Sequence, residues 1–405
     1  MLNIIYLWLR LMNILSQPIL DASQKPEWKN AMKEEIDALQ KNDTWELVPK
    51  MICQNVIGCK WVYKTKFNSD GTLNRCKARL VAKGYSQTYG IDYDETFSAV
   101  AKMASIRVVI SLASSLNWTL HQMDVNNAFL NGFLKEEVFM EQPEGFKDSA
   151  NPEFVCKLKR GLYGLKQAPR TWFERLANYL KIVGFKQSLA DALVFIMNGK
   201  NDIIIIVLYV DDLIITSSND GFIYETKKKL SAEFEIKDLG ELKYFLGIEV
   251  VKCPHGLMLS QRKYMMDMLR QFGMQDCKPI QTPNMKLDAM DGYVIADVKM
   301  YQQMVGKLIY STITRPDIAF LVGIVSRYMQ EPKKVHLVAA KRILRYIKGT
   351  LDYGILYSNH EFSLVSSLMH IGPKIRNREE VQLDIVVPLE VELCHVFLKS
   401  NQLLH

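Results

Sequence analysis

Residues 203–216, Ile-Ile-Ile-Ile-Val-Leu-Tyr-Val-Asp-Asp-Leu-Ile-Ile-Thr, constrain this chain more than any other stretch. Two apolar, β-branched runs of strand length flank a single polar step, Asp211-Asp212. Of the residues between the runs, only the two aspartates tolerate a tight reversal. The reading is a hairpin buried on both faces, with adjacent carboxylates forming its tip. Two like charges side by side are costly to bury unless a cation sits between them, and carboxylates with waters suit magnesium. On this stretch alone a solvated turn explains the pair equally well, so the rest of the sequence has to decide.

At 405 residues the chain can bury a sizeable core and divide into two or three subdomains. Its net charge of +7 permits a polyanionic partner without demanding one. The seven cysteines are Cys53, Cys59, Cys76, Cys156, Cys253, Cys277 and Cys394. An odd number at irregular spacing predicts free thiols in a reducing, intracellular setting and no zinc site. Residues 1–23 form an unassigned apolar leader. It is too short to span a bilayer and lacks the basic start of a secretory signal. The expectation is a protein that is not secreted, cytoplasmic or particle-associated, and without a membrane partner.

Residues 24–42 carry apolar side chains at helical spacing. Residues 60–83 predict a β-hairpin turning at residues 68–71. Trp61, Tyr63, Thr65 and Phe67 fall on one face of its first strand, and Lys60, Val62, Lys64 and Lys66 on the other. Arg75, Lys77 and Arg79 alternate on the return strand, so the hairpin has one basic face. It holds seven Lys/Arg against the single acid Asp70. A charged edge guarding against aggregation is the plain reading; a phosphate-gripping flap accounts better for period-two cations on both strands. A helix is expected over 103–117, then a strand ending at Asp124-Val125, where a third carboxylate for a metal could sit; a nearby helix cap is the alternative. Residues 155–176 predict a strand, a glycine turn and a helix starting near Pro169, with Lys166, Gln167 and Arg170 at its start, a favourable place for phosphate. Farther on come a helix over 223–234, one strand over 244–250, a partner strand at 257–260, and a helix capped by Ser260. Helices over 301–310, 315–329 and 335–348 follow. The last carries a stripe of Lys341, Arg342, Arg345 and Lys348, most simply a solvated face and less simply a duplex-facing one.

Taken together, the acids on a hairpin tip, an acid at another strand end, a cationic helix start and a basic flap match two-metal phosphoryl transfer. Long ordered motifs carry a resemblance at this point: Gly58-Cys-Lys-Trp-Val-Tyr-Lys64, Lys77-Ala-Arg-Leu-Val-Ala-Lys-Gly84, Tyr93-Asp-Glu-Thr-Phe-Ser-Ala-Val-Ala-Lys102 and His121-Gln-Met-Asp-Val-Asn-Asn-Ala-Phe-Leu-Asn-Gly132. Leu162-Tyr-Gly-Leu-Lys-Gln-Ala-Pro-Arg170, Tyr209-Val-Asp-Asp212 and Ile236-Lys-Asp-Leu-Gly-Glu-Leu-Lys-Tyr-Phe-Leu-Gly247 continue it, and three helical blocks between 301 and 350 close it. The chain resembles the reverse transcriptase region of copia-type LTR retrotransposon Pol polyproteins, over roughly residues 24–357.

The resemblance implies an α+β right-hand polymerase with fingers mainly 45–104, a palm with a ferredoxin-like antiparallel sheet mainly 105–252, and a thumb and helical connection over 253–357. It implies an RNA-directed DNA polymerase working on an RNA template, a DNA primer and dNTPs. Asp124, Asp211 and Asp212 would be the catalytic carboxylates holding two Mg2+ ions, with Mn2+ as a substitute and the Val125 carbonyl as a further ligand. Lys64, Lys66, Lys77 and Arg79 would hold the nucleotide triphosphate, Phe129 would gate the sugar, and Gln167 and Arg170 would contact nucleotide and template. Tyr209, Phe245, Leu246 and Gly247 would face primer and template. Lys243 and Lys237 are rival candidates for a general acid assisting pyrophosphate departure. Ala99 and Asn126 depart from the usual family residues without touching the metal ligands. Residues 358–405 lack the acidic opening of the ribonuclease H domain that follows in the family. A frameshift near Ser367-Leu-Met-His370 is the expected origin, and no ribonuclease H activity is expected. The competing reading is a transposon relic that binds nucleic acid without polymerising; a nucleotide cyclase would share the acidic hairpin but not the other blocks.

Overall fold

The computed structural model describes residues 25–52, 54–67, 72–96, 100–283 and 297–359, with residues 66 and 67 by their backbone alone. The leader, Cys53, the 68–71 turn, Ala99 and the tail proposed to be frameshifted lie outside the described residues. The chain divides into two compact units, one built from residues up to 105 and 121–240, the other from 106–120 and 241 onward.

The first unit opens with helix α1 (Pro26–Lys41), whose Trp28, Met32, Ile36 and Leu39 are buried along one face. That face lies on the hairpin of β3 (Cys59–Phe67) and β4 (Leu73–Ala82). Trp28 meets Tyr63 edge-to-face at 5.1 Å, and the Leu80 N–H donates to the buried Glu35 carboxylate at 3.3 Å. The register pairs Trp61 with Leu80 and Tyr63 with Ala78, and on the opposite face Val62 with Arg79, Lys64 with Lys77 and Lys66 with Arg75. Alternation therefore sorts the hairpin as expected: apolar toward α1, basic away from it.

Strands β1 (Trp45–Val48), β2 (Val56–Ile57), β6 (Phe133–Met140) and β7 (Val155–Arg160) form a four-stranded sheet in the order β1-β7-β6-β2. A larger six-stranded sheet has the order β12-β5-β11-β10-β9-β8. Its members are β5 (Thr119–Val125), β8 (Lys186–Gln187), β9 (Val194–Asn198), β10 (Ile203–Tyr209), β11 (Asp212–Ser217) and β12 (Ile236–Glu241). Residues 204–208 and 213–215 are buried throughout, which explains why both runs are apolar at every position rather than at alternate ones. Helix α3 (Ala168–Val183) begins with Pro169 in its first turn and stops at Gly184, whose φ of +112° suits a residue without a Cβ. Helix α4 (Asp220–Glu233) lies against β11.

Among its described residues the second unit contains most of helix α2 (Met103–Ser115), a sheet of β13 (Tyr244–Phe245), β14 (Ile248–Cys253), β15 (Gly256–Ser260) and β16 (Ile355–Ser358), and four further α-helices. These are α5 (Arg262–Gln271), α6 (Val298–Ser311), α7 (Ala319–Ser326) and α8 (Lys334–Gly349). Their core gathers Met265, Met268, Tyr301, Met304, Leu308 and, as expected for α8, Ile343, Leu344 and Ile347.

Three local expectations are corrected. The run over 244–250 is not one strand: β13 pairs back on β14 through a two-residue turn, Leu246-Gly247, with φ of +51° and +73°. Both values are those of a type I′ hairpin, which Gly247 makes accessible. Ser260 ends β15 rather than capping α5; its hydroxyl donates to Glu249, and Gln261 takes the cap position. The basic stripe of α8 is largely spent: Arg342, Arg345 and Lys348 donate to the carbonyls of Thr282, Lys278 and Gln275. Those cations clasp the connector that follows α5.

Candidate active site

The hairpin at the centre of the large sheet turns one residue earlier than its aspartates suggest. Tyr209 pairs with Asp212, which leaves Val210 and Asp211 as the two turn residues and Asp212 as the first residue of β11. Val210 has a φ of +60°, a conformation that a β-branched residue strongly resists. Three contacts hold it there. The buried Trp172 of α3 donates its indole N–H to the Val210 carbonyl at 2.7 Å. The Val125 N–H donates to the Asp211 carbonyl at 2.9 Å, tying the turn to the end of β5. Tyr209, whose hydroxyl is raised by burial, forms a bridge with Val100.

Asp124 is the penultimate residue of β5, and β5 lies beside β11. The three acids thus come to neighbouring positions at one end of two adjacent strands, from parts of the chain about ninety residues apart. Their electrostatics are coupled. Burial raises the Asp211 carboxyl; its own N–H opposes this, Asp124 adds to it, and Arg79 and Lys77 pull it back down. Asp212 is pushed up to about 6, first by burial and also by Asp211 and Asp124, against a hydrogen bond from Gln122. The Gln122 amide donates to Asp212 at 2.9 Å. Gln122 precedes Asp124 by two residues and so shares its face of β5. Among the described residues, no three metal-ligating side chains are gathered into a closed cluster. Asp212 accepts from Gln122, which leaves its charge partly offset within the protein. Three hard oxygen donors, two of them raised by burial and mutual repulsion, fit a divalent cation of the magnesium type.

A cationic and aromatic wall adjoins these acids. The Arg79 guanidinium lies 4.1 Å from the centre of the Tyr163 ring, and Phe129 packs edge-to-face on the same ring at 4.6 Å. Burial raises the Tyr163 hydroxyl, and Arg79, Asp211 and Asp124 all act on it, which places the wall within reach of the acids. Arg79 Nε is buried with no hydrogen-bond partner among the described residues, a donor left for a ligand. Lys64 is exposed on the same hairpin face, opposite Lys77. Phe129 sits in a short 3-10 turn, Ala128–Asn131, and is itself largely buried. Gly161 lets that turn approach, since a Cβ there would come within 2.8 Å of the Phe129 carbonyl.

Other expected site residues are placed differently. Gln167 is fully buried: its amide donates to the Asp92 carbonyl and accepts from Gln87. Arg170 is ion-paired to Glu136 at 2.7 Å. Gln167 is engaged within the protein, whereas Arg170 Nε, like Arg79 Nε, has no hydrogen-bond partner among the described residues. Lys237 is exposed on β12. Lys243, Phe245, Leu246 and Gly247 belong to the second unit; Lys243 is exposed, Phe245 is buried, and the Leu246 carbonyl accepts from the Tyr310 hydroxyl. Sequence reasoning missed Gln122, Trp172 and Tyr163. Gln122 was signalled by its two-residue spacing from Asp124; the other two stood in a quoted motif or just beyond it, without a role.

The family described as reverse transcriptase (RNA-dependent DNA polymerase) matches residues 42–286, and the chain belongs to it. Within that family it groups with the copia-type retrotransposon Pol polyproteins. It is 46% identical over 340 residues to the retrovirus-related Pol polyprotein from transposon RE1 of Arabidopsis thaliana, covering 83% of this chain and 23% of that protein. It is 43% identical over 345 residues to the corresponding polyprotein from transposon TNT 1-94 of Nicotiana tabacum, covering 82% and 26%. The chain thus spans about a quarter of the length of these relatives. A foamy viral protease-reverse transcriptase in complex with double-stranded DNA aligns with 80% of this chain and 49% of its own, at 12% identity and a TM-score of 0.43. No described helix is long and apolar enough to cross a membrane.

Proposed function

We propose that this chain is an RNA-directed DNA polymerase with a right-hand arrangement, extending a DNA primer on an RNA template with dNTPs. The observation that supports the reading is that Asp124, Asp211 and Asp212 stand at one end of the adjacent strands β5 and β11, with an Arg79 Nε that has no hydrogen-bond partner among the described residues. Two divalent cations, when bound, supply charge stabilisation to the oxygens on both sides of the transferred phosphorus. Asp124, Asp211 and Asp212, with the Val125 carbonyl, would hold them.

The chain's own residues do the rest. Arg79, with Lys77, Lys64 and Lys66, holds the triphosphate on the basic face of the β3–β4 hairpin. Phe129 and Tyr163 form the surface against which the sugar is placed, so that a ribose 2′-hydroxyl meets a bulky side chain. Gln122, Trp172, Gln167 and Arg170 act as positioning residues, holding the acids, the strained turn and the α3 start. In the reaction the primer 3′-oxygen forms a bond to the α-phosphorus while the bond to pyrophosphate breaks. Lys237 would give a proton to the departing pyrophosphate. Tyr209 would border the primer end and template.

Extension of oligo(dT) on poly(rA) with magnesium tests the assignment. Wild-type extension that is lost in Asp211→Ala supports it; equal signal in both sinks it. Salt-sensitive RNA binding without any extension favours the nucleic-acid-binding relic instead.

A further inference from the structure

The loop after β4 exposes what a folded surface ordinarily hides. Tyr85, Tyr89 and Ile91 are 77%, 72% and 72% exposed within seven residues. The backbone beneath them is firmly fixed. Gly84 sits against the Gly164 carbonyl, where a Cβ would come within 2.0 Å. Gln87 is buried, donating to Gln167 at 3.0 Å and accepting the Lys166 N–H at 2.9 Å. The buried Asp92 carboxylate accepts from Asn55 at 2.6 Å and from the Thr88 N–H at 2.7 Å. The Tyr89 and Tyr93 rings meet edge-to-face at 5.8 Å. The loop is thus anchored at its base and apolar at its tip.

Its surroundings say what would cover it. The Ala82 N–H donates to the Tyr163 carbonyl at 2.8 Å, so the loop starts two residues beyond a direct tie to the Arg79–Tyr163 wall. Lys83 and the exposed Lys166 flank its start, continuing the basic face of the hairpin. Exposed acids, Asp94 and Glu95, come only after Tyr93, at its far end. Cations on one side and exposed aromatic rings between them are the recognition chemistry of unpaired nucleic acid: phosphates follow the cations and bases stack on the rings, whatever their sequence.

We propose that Tyr85 and Tyr89, with Ile91, form a stacking platform for the unpaired template strand. This rests on the polymerase reading for the identity of the strand, but its test needs no turnover. The affinity of the full chain is measured by fluorescence anisotropy, without nucleotide, for two primer-templates whose 5′ template overhangs are one and eight nucleotides long. The wild type binds the long overhang more tightly. In Tyr85→Ala/Tyr89→Ala that preference shrinks roughly tenfold, the scale of losing a stacked base or two. Tyr85→Phe/Tyr89→Phe keeps it, since the ring and not the hydroxyl does the stacking, and so separates stacking from a folding defect. An unchanged preference in the alanine pair overturns the platform, and so does a loss shared equally by the phenylalanine pair. Failure of the wild type to extend a primer, with the aromatic-dependent preference intact, defeats the polymerase reading and leaves the platform standing.

Discussion

Two of the two-residue hairpins in this protein solve the same backbone problem differently. At Leu246-Gly247 both residues have positive φ, and glycine carries half the burden without strain. At Val210-Asp211 only the first is positive, and it is a valine, where a turn of that hand ordinarily takes glycine. In each, the carbonyl of the positive-φ residue accepts from an aromatic side chain of a helix, Trp172 for Val210 and Tyr310 for Leu246. The Val210 turn alone is also tied through Val125 to a second strand. A conformation costing on the order of 1–3 kcal/mol persists only where its surroundings over-determine it. The extra support is found at the turn that carries Asp211.

The largest effect expected from this contrast follows Trp172→Phe. It removes the donor to the partly buried Val210 carbonyl, at a cost of about 1–3 kcal/mol, and frees the turn that places Asp211. Chemical denaturation should show that loss, and single-turnover extension should slow by tenfold or more. Tyr310→Phe removes the equivalent donor in the other hairpin and should cost roughly 0.5–1.5 kcal/mol in the same denaturation experiment. A larger loss there than at Trp172 would break the comparison. Next in size is a difference of sign. Gly247→Val should destabilise by about 1–2 kcal/mol, because it puts a β-branched residue at positive φ. Val210→Gly should be neutral or slightly stabilising while slowing extension; a clear loss of stability would mean the valine is not strained.

The smallest effect concerns Glu35, beneath the basic hairpin. Burial raises its carboxyl, against the Leu80 N–H, Arg79 and Lys77. Its protonated form is therefore the better folded one. The stability it allows at low pH is lost as pH rises from the unfolded value through the folded one. Glu35→Gln, which can still accept from Leu80, should raise the thermal midpoint at pH 7, and the gain should vanish toward pH 4. A gain that persists unchanged at pH 4 would rule out ionisation as its cause.

Much of this was legible in the chain, for local reasons. Period-two cations on residues 60–79 gave the basic face, and continuous β-branched runs gave the buried hairpin. The exact turn was not legible, because aspartate outranks valine as a turn former and the forces that override this come from Trp172 and Val125, distant in sequence. The break at Leu246-Gly247 was hidden by an apolar run that reads as one strand, although Gly247 marked it. Gln167 and Arg170 looked like ligand contacts because polar residues at a helix start do so by default. Gln87 and Asp92, which engage Gln167, and Glu136, which pairs with Arg170, cannot be matched to them from spacing. The stripe on α8 misled for the same reason: nothing local reveals that three of its cations meet carbonyls of the 275–282 connector.

The central claim is that Asp124 and Asp211 act as one unit. A double-mutant cycle on single-turnover primer extension tests it most directly, using Asp124→Asn, Asp211→Asn and both together. Members of one catalytic unit are grossly non-additive. The account predicts that each single change removes nearly all activity and that the double is no slower than either. Losses that multiply in the double, or a single variant that keeps the wild-type rate, would contradict it.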